Sequence, residues 1–197
     1  MLTIEQLLYG MLLPSGNDSA FLLASYFGNL IFQKYGYTEK DIETITSFQF
    51  NYHPYYVKYF LKEMNVTAEK LGMHATHYDS PHGLQNTANV STAYDICKLA
   101  AAVMQEPFLR KIVCCSTWGC EPIHNAHPKP EVENDAKQDL VASTKSPKKK
   151  VGDLEKPTYF WENTNKLLGV PGFVGTKTGI TPAAGPCLAS CYERNGY

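Results

Sequence analysis

Gly175-Thr176-Lys177-Thr178-Gly179, entered from Val170-Pro171-Gly172-Phe173-Val174, is a short apolar run that closes on Lys-Thr-Gly. The run predicts a strand whose end lets another group approach the backbone, because glycine has no side chain to block it. Lys177 would offer a positive charge to an anionic ligand there. Three common residues recur by chance, and an ordinary strand end with an exposed lysine has the same spelling. The rest of the chain has to decide between these meanings.

The 197 residues have room for one domain with a hydrophobic core. Lys+Arg 18 against Asp+Glu 19 leaves a net charge of -1, so no overall basic field argues for nucleic acid or an anionic membrane. No apolar run is long enough to span a bilayer, and Glu5 stands where a signal peptide would carry positive charge. The six cysteines form no paired CxxC units, which argues against zinc and leaves the compartment open. His74-x-x-His77 and His124-x-x-His127 lack a glutamate at metalloprotease spacing and read as solvent-facing or hydrogen-bonded histidines. No cofactor, metal or partner protein is expected.

Thr3 and Gln6 form a capping-box pattern, and Ile4, Leu7, Leu8, Met11 and Leu12 recur at helical spacing until Pro14 stops the run. Asn17 or Asp18 is expected to cap a second helix with Phe21, Leu22, Ser25, Tyr26, Asn29 and Leu30 on its buried face. That places Ser15-Gly16-Asn17 in a tight turn between helices, where capping alone would explain Ser15 and Asn17. Thr38-x-x-Asp41 suggests a short helix, although Thr44 to Phe50 is β-branched and aromatic. Pro54 suits the first position of the clearest helix, with Val57, Phe60, Leu61, Met64, Ala68 and Leu71 on one face and Gly72 as its stop. Thr76 to Asn89 reads as an ordered loop, and Thr92-x-x-Asp95 opens a helix carrying Ile96, Leu99, Ala100 and Val103. Between Cys114 and Thr158 the pattern dissolves into polar and proline residues, and Pro147-Lys148-Lys149-Lys150 reads as solvated loop. Order resumes at Tyr159-Phe160-Trp161. Strands are expected at Gly172 to Thr178 and Cys187 to Tyr192, joined by a turn-rich link from Gly179 to Gly185, and Asn195-Gly196 signals a further hairpin turn.

With these segments in order, the sequence resembles the serine-type D-alanyl-D-alanine carboxypeptidases, the low-molecular-weight penicillin-binding proteins. Leu12 to Asp18, Met64-Asn65, Leu71-Gly72-Met73, Ser80-Pro81-His82-Gly83-Leu84, Ser91 to Asp95, Asn163-Thr164-Asn165-Lys166-Leu167-Leu168 and Gly175 to Thr181 carry the resemblance across most of the chain. It implies an α+β fold of the penicillin-binding, serine β-lactamase-like transpeptidase kind, a helical lobe beside an antiparallel sheet that contains Lys177. It also implies an acyl-transfer enzyme built on Ser-x-x-Lys, Ser-x-Asn and Lys-Thr-Gly. A serine would attack the D-Ala-D-Ala peptide bond, form an acyl-enzyme and release D-alanine before water completes hydrolysis. By the same resemblance, Ser15 would relay a proton toward the leaving amine and Asn17 would hold the substrate amide. Lys177 and Thr178 would bind the terminal carboxylate, Gly179 would let the substrate lie against the strand, and the Ile180 N–H would be one oxyanion donor. The implied partner is a D-Ala-D-Ala-terminated peptide or a β-lactam.

The chain departs from the family at its nucleophile. In the family Ser-x-x-Lys lies several tens of residues upstream of Ser-x-Asn, whereas the fourteen residues before Ser15 contain no serine. Ser146-Pro147-Lys148-Lys149 has the spelling, but Pro147 and the polar surroundings do not support a helix that would hold Ser146 and Lys149 on one face. Residues 1–197 are therefore expected to be a partial catalytic domain with a polar insertion at about 119–157, cut at both ends from a longer enzyme. Any signal peptide for the family's extracytoplasmic location would lie in the missing part, and the strand edge left by the cut would favour aggregation. Two alternatives share the residues: a non-catalytic module that binds D-alanyl peptides or β-lactams, and a serine β-lactamase-like hydrolase. The Asn163 to Leu168 segment matches the carboxypeptidases better than the latter. Asn17, Asn65 and Asn89 also fit the permissive glycosylation sequon.

Overall fold

In the computed structural model, residues 1–36, 55–84, 86–123 and 159–194 are described. Five helices come first: α1 (Ile4–Leu12), α2 (Asn17–Tyr35), α3 (Tyr55–Lys70), α4 (Ala93–Gln105) and α5 (Pro107–Val113). Strands β1 (Thr117–Cys120) and β2 (Tyr159–Glu162) pair antiparallel, as do β3 (Phe173–Thr181) and β4 (Gly185–Tyr192), with a 3-10 turn at Lys166–Gly169 between the pairs. The fold is α+β, and the described strands form two separate ribbons rather than one sheet.

The capping box at Thr3 and Gln6 is complete in both directions, so α1 starts where its sequence predicts. Its inner face, Tyr9 and Leu13, joins Ile112 of α5 in one core cluster. Tyr9 stacks on Trp118 with ring centres 4.1 Å apart, and Trp118 stacks on Trp161 at 5.6 Å, which carries this core onto the β1–β2 ribbon. Gly119 and Cys120 thus belong to β1 rather than to the expected insertion.

The second core cluster lies between α2 and α3, where Ala24, Val57 and Leu61 meet. The expected face of α2 is rotated. Ala20, Leu23, Ala24 and Gly28 are the buried positions, while Leu22, Tyr26 and Leu30 are exposed. Apolar residues run nearly all round this helix, so periodicity alone is ambiguous, and the smallest side chains settle which face admits α3. The α3 face is as expected at Val57, Leu61 and Ala68, and Gly72 ends that helix with φ 70°. Thr92 caps α4 by accepting from the Asp95 N–H, as its spacing predicts.

β3 runs on through Gly179, Ile180 and Thr181, so the turn between the last strands is shorter than the sequence suggests. Register pairing with β4 absorbs the second glycine instead of breaking there. The Thr38 to Asp41 pattern, Thr44 to Phe50, Pro54, His124 and His127, Ser146 to Lys149 and Asn195-Gly196 lie outside the described residues.

Candidate active site

The Ser15-Gly16-Asn17 turn is shaped by the end of α1. The Gly16 N–H donates to the Gly10 carbonyl at 3.1 Å, and a Cβ on Gly16 would lie 2.5 Å from that same oxygen. Only glycine fits, and the preceding Ser15 takes the left-handed conformation at φ 63°. Gly16 is the N-cap of α2, and no side chain caps the helix. The expectation that Asn17 or Asp18 caps α2 is therefore corrected: the tight Gly16 contact moves the helix start one residue back. Asn17 sits in the first turn, exposed, with its amide free of the capping role.

β3 forms the facing wall. Lys177 donates from Nζ to the Thr178 carbonyl at 2.6 Å, and partial burial holds its pKa below the ordinary lysine value. Gly179 leaves open space on the strand, since a Cβ there would come no nearer than 3.9 Å to Cys187, and Ile180 is 78% exposed. Gly175 answers a different need from ligand approach. Its φ is 149°, and a Cβ would press on Val113 of α5 at 3.2 Å, so the first glycine of the motif serves packing inside the fold.

Asn163-Thr164-Asn165 joins the two walls, a role that its sequence did not disclose. The Thr164 N–H and Oγ1–H both donate to the Leu13 carbonyl, at 3.2 and 3.3 Å, just before the Ser15 turn. Thr164 Oγ1 also shares a hydrogen bond with Thr178 Oγ1. Asn163 donates to the Val113 and Cys115 carbonyls at 3.3 and 3.0 Å, and Asn165 caps the 3-10 turn by accepting from Leu167 N–H. Polar residues beside apolar Leu167-Leu168 gave no periodic signal, because the partners lie far away in sequence.

The third border is the loop carrying His82, Gly83 and Leu84. Asn65 accepts from Tyr78 N–H at 2.8 Å and donates to the Leu61 and Tyr78 carbonyls at 3.0 and 2.8 Å. Asn89 accepts from the Asp79 and Ser80 N–H groups and donates to Ser80 Oγ. Both amides are committed to holding the loop, which argues against glycosylation at either sequon. His74 pairs with Glu69 at 3.1 Å, while His77 bridges Val90 through its backbone, and no metal-binding group of three occurs among the described residues.

Asp95 closes this polar knot. Burial alone would raise its carboxyl pKa, but hydrogen bonds from Thr76 Oγ1 and Ala75 N–H, with Lys98 alongside, hold it below the ordinary value. A depressed folded-state pKa contributes stability above the unfolded value that is lost as pH falls through the folded one. Asp95→Asn is therefore expected to melt below the unsubstituted chain at pH 7, with the gap closing as pH falls below about 4. A gap independent of pH in thermal melts would contradict this account.

Ser15, Asn17, Lys177, Thr178, Gly179 and Ile180 all line one cleft of about 740 Å³, with His82 to Leu84 and Thr164 to Leu167 completing its rim. A cationic strand edge facing a turn that bears a hydroxyl and a carboxamide can receive a peptide that ends in a carboxylate. Residues 54–117 match the family model described as D-alanyl-D-alanine carboxypeptidase. The chain is 31% identical over 195 residues to a D-alanyl-D-alanine carboxypeptidase of Streptomyces sp. strain K15, covering 98% of this chain and 51% of the relative. It is 30% identical over 142 residues to a D-alanyl-D-alanine endopeptidase of Escherichia coli K12, covering 70% of this chain and 35% of that protein. The crystal structure of the Streptomyces K15 DD-transpeptidase superposes with a TM-score of 0.66 at 31% identity, covering 99% of this chain and 57% of that structure. The chain thus spans about half the length of the Streptomyces relative.

Proposed function

The chain belongs to the D-alanyl-D-alanine carboxypeptidase family, peptidase family S11, and from that membership we propose that its cleft serves serine-type acyl transfer on peptides ending in D-Ala-D-Ala. The observation that carries this reading is the meeting of Ser15 and Asn17 with the Lys177-Thr178-Gly179 edge in one cleft. Lys177 and Thr178 take the terminal carboxylate, and the β3 edge lies along the peptide backbone. Asn17 holds the substrate amide, and Ser15 passes a proton to the leaving D-alanine. The Ile180 N–H faces the carbonyl oxygen that becomes charged in the tetrahedral intermediate. Residues 1–197 act as a partial catalytic domain of this kind, with a polar insertion whose described border begins after β1.

To these 197 residues alone we assign the binding half of that reaction. Their sole Ser-x-x-Lys spelling is Ser146 to Lys149, which follows the Ser15 turn in sequence instead of preceding it as in the family and lies outside the described residues. Incubated with a fluorescent penicillin, the chain is expected to give no covalent band that survives denaturation. A surviving band would show that a nucleophile within these residues reaches the β-lactam carbonyl and would overturn this assignment. A β-lactamase reading is less well supported, since the relatives in which the chain is matched are named for D-alanyl peptides.

Lysine must be protonated to hold a carboxylate, and burial lowers the pKa of Lys177. Affinity for N-acetyl-D-Ala-D-Ala is thus expected to be full near neutral pH and to fall as pH rises, starting below the ordinary lysine range. Lys177→Arg, which stays charged, should keep whatever affinity it has across the same range. Calorimetric titrations at several pH values test this, and equal alkaline losses in both proteins would contradict it.

A further inference from the structure

We propose that Thr164 is a positioning residue that sets the proton direction of Thr178, so that the cleft distinguishes a peptide carboxylate from its amide. The inference rests on the reading of the cleft as a D-Ala-D-Ala site. It comes from counting protons along a chain of three groups. Each threonine hydroxyl has one hydrogen to give and can accept others. The Leu13 carbonyl can only accept, so the contact at 3.3 Å directs the Thr164 hydroxyl proton at the Leu13 oxygen. The bond between Thr164 Oγ1 and Thr178 Oγ1 must then use the Thr178 proton.

In that arrangement Thr178 points its proton away from the ligand and presents only lone pairs to the cleft. A carboxylate also presents only lone pairs, so the two repel. The chain can reverse at small cost, because Leu13 keeps the Thr164 N–H donor at 3.2 Å when the hydroxyl turns away. Thr164 then donates to Thr178, and Thr178 donates to the carboxylate. Donation in series polarises each member, and the threonine pair keeps the Thr178 rotamer aimed at the ligand. A donor polarised in this way gains more from a charged carboxylate than from the neutral oxygen of a terminal amide, so the reversed chain favours the acid. The same Thr164 contacts tie the Ser15 turn to β3, so the carboxylate end and the proton-relay end of the cleft share one support.

The test measures binding of N-acetyl-D-Ala-D-Ala and of its C-terminal amide to the 197-residue chain by calorimetry. The ratio of the two affinities is the readout, because a merely structural defect would weaken both ligands together. Thr164→Val, which keeps the branched shape without the hydroxyl, is expected to reduce the acid-over-amide preference about three- to tenfold, the order of one weakened hydrogen bond to a charged group. Thr164→Ser should restore it, and Thr164→Val should add little in a Thr178→Val background. An unchanged or increased preference in Thr164→Val overturns the inference while leaving the site assignment intact. Absence of any acid-over-amide preference in the unsubstituted chain overturns both together. If Thr164→Val does not fold, Thr164→Ala takes its place: the same loss of preference is expected relative to Thr164→Ser, and an equal preference in the two overturns the inference.

Discussion

Gly28→Ala is expected to lower the melting temperature by at least about 6 °C, from a loss of about 3 kcal/mol at roughly 2–4 °C per kcal/mol for a chain of this size. A Cβ on Gly28 would lie 1.9 Å from the Tyr56 carbonyl oxygen and 2.7 Å from its carbon. Both atoms are main chain in α3, so no rotamer change relieves the overlap, and the two helices must separate. Separation would open the cluster of Ala24, Val57 and Leu61, adding lost burial to the steric cost. Gly169→Ala is the matched control, since nothing lies within 4 Å of the position its Cβ would take. Circular-dichroism melts of the two variants decide the matter. Equal melting of Gly28→Ala and the unsubstituted chain would mean that α2 and α3 are not packed at this distance.

Lys177→Met is expected to weaken N-acetyl-D-Ala-D-Ala binding by about 30- to 150-fold, the equivalent of about 2–3 kcal/mol for a charge-assisted hydrogen bond in a partly enclosed site. Methionine keeps an unbranched apolar stem of similar reach, so the packing of β3 against β4 should be preserved. Its loss of charge should fall mainly on the acid ligand, with the C-terminal amide bound nearly as before. A comparable loss for both ligands would place Lys177 in the support of the strand rather than at the carboxylate. The alkaline fall in affinity expected for the unsubstituted chain should be absent in this variant, which gives a second check on the same residue.

Local signals account for the elements that the sequence disclosed. Thr3 with Gln6 and Thr92 with Asp95 satisfy backbone donors within one turn, so their helix starts could be read without any knowledge of the fold. The α3 face was equally legible because Val57, Leu61 and Ala68 repeat along one side. On α2 the apolar residues do not single out one side, and the buried face depends on which residues are small enough to let α3 approach. The second glycine of Gly-Thr-Lys-Thr-Gly read as a strand end, yet pairing with Cys187 keeps β3 extended to Thr181.

The candidate site divides along the same line. Ser15, Asn17, Lys177, Thr178, Gly179 and Ile180 were named from motifs, because chemistry constrains residue type and spacing wherever a family resemblance can be recognised. Thr164 lay inside the Asn163 to Leu168 segment that carries the resemblance, but its role had no mark, since its work is done on a carbonyl and a hydroxyl contributed by Leu13 and Thr178. The sequence alone determined the starts of α1 and α4 and the family that the chain resembles, which rest on short-range patterns, and it named the residues proposed to hold a carboxylate. Tertiary structure alone decided why Gly16 must be glycine, which side of α2 is buried, and how one threonine joins the two walls. Each of these depends on a distance between groups remote along the chain, and residue order does not contain that distance.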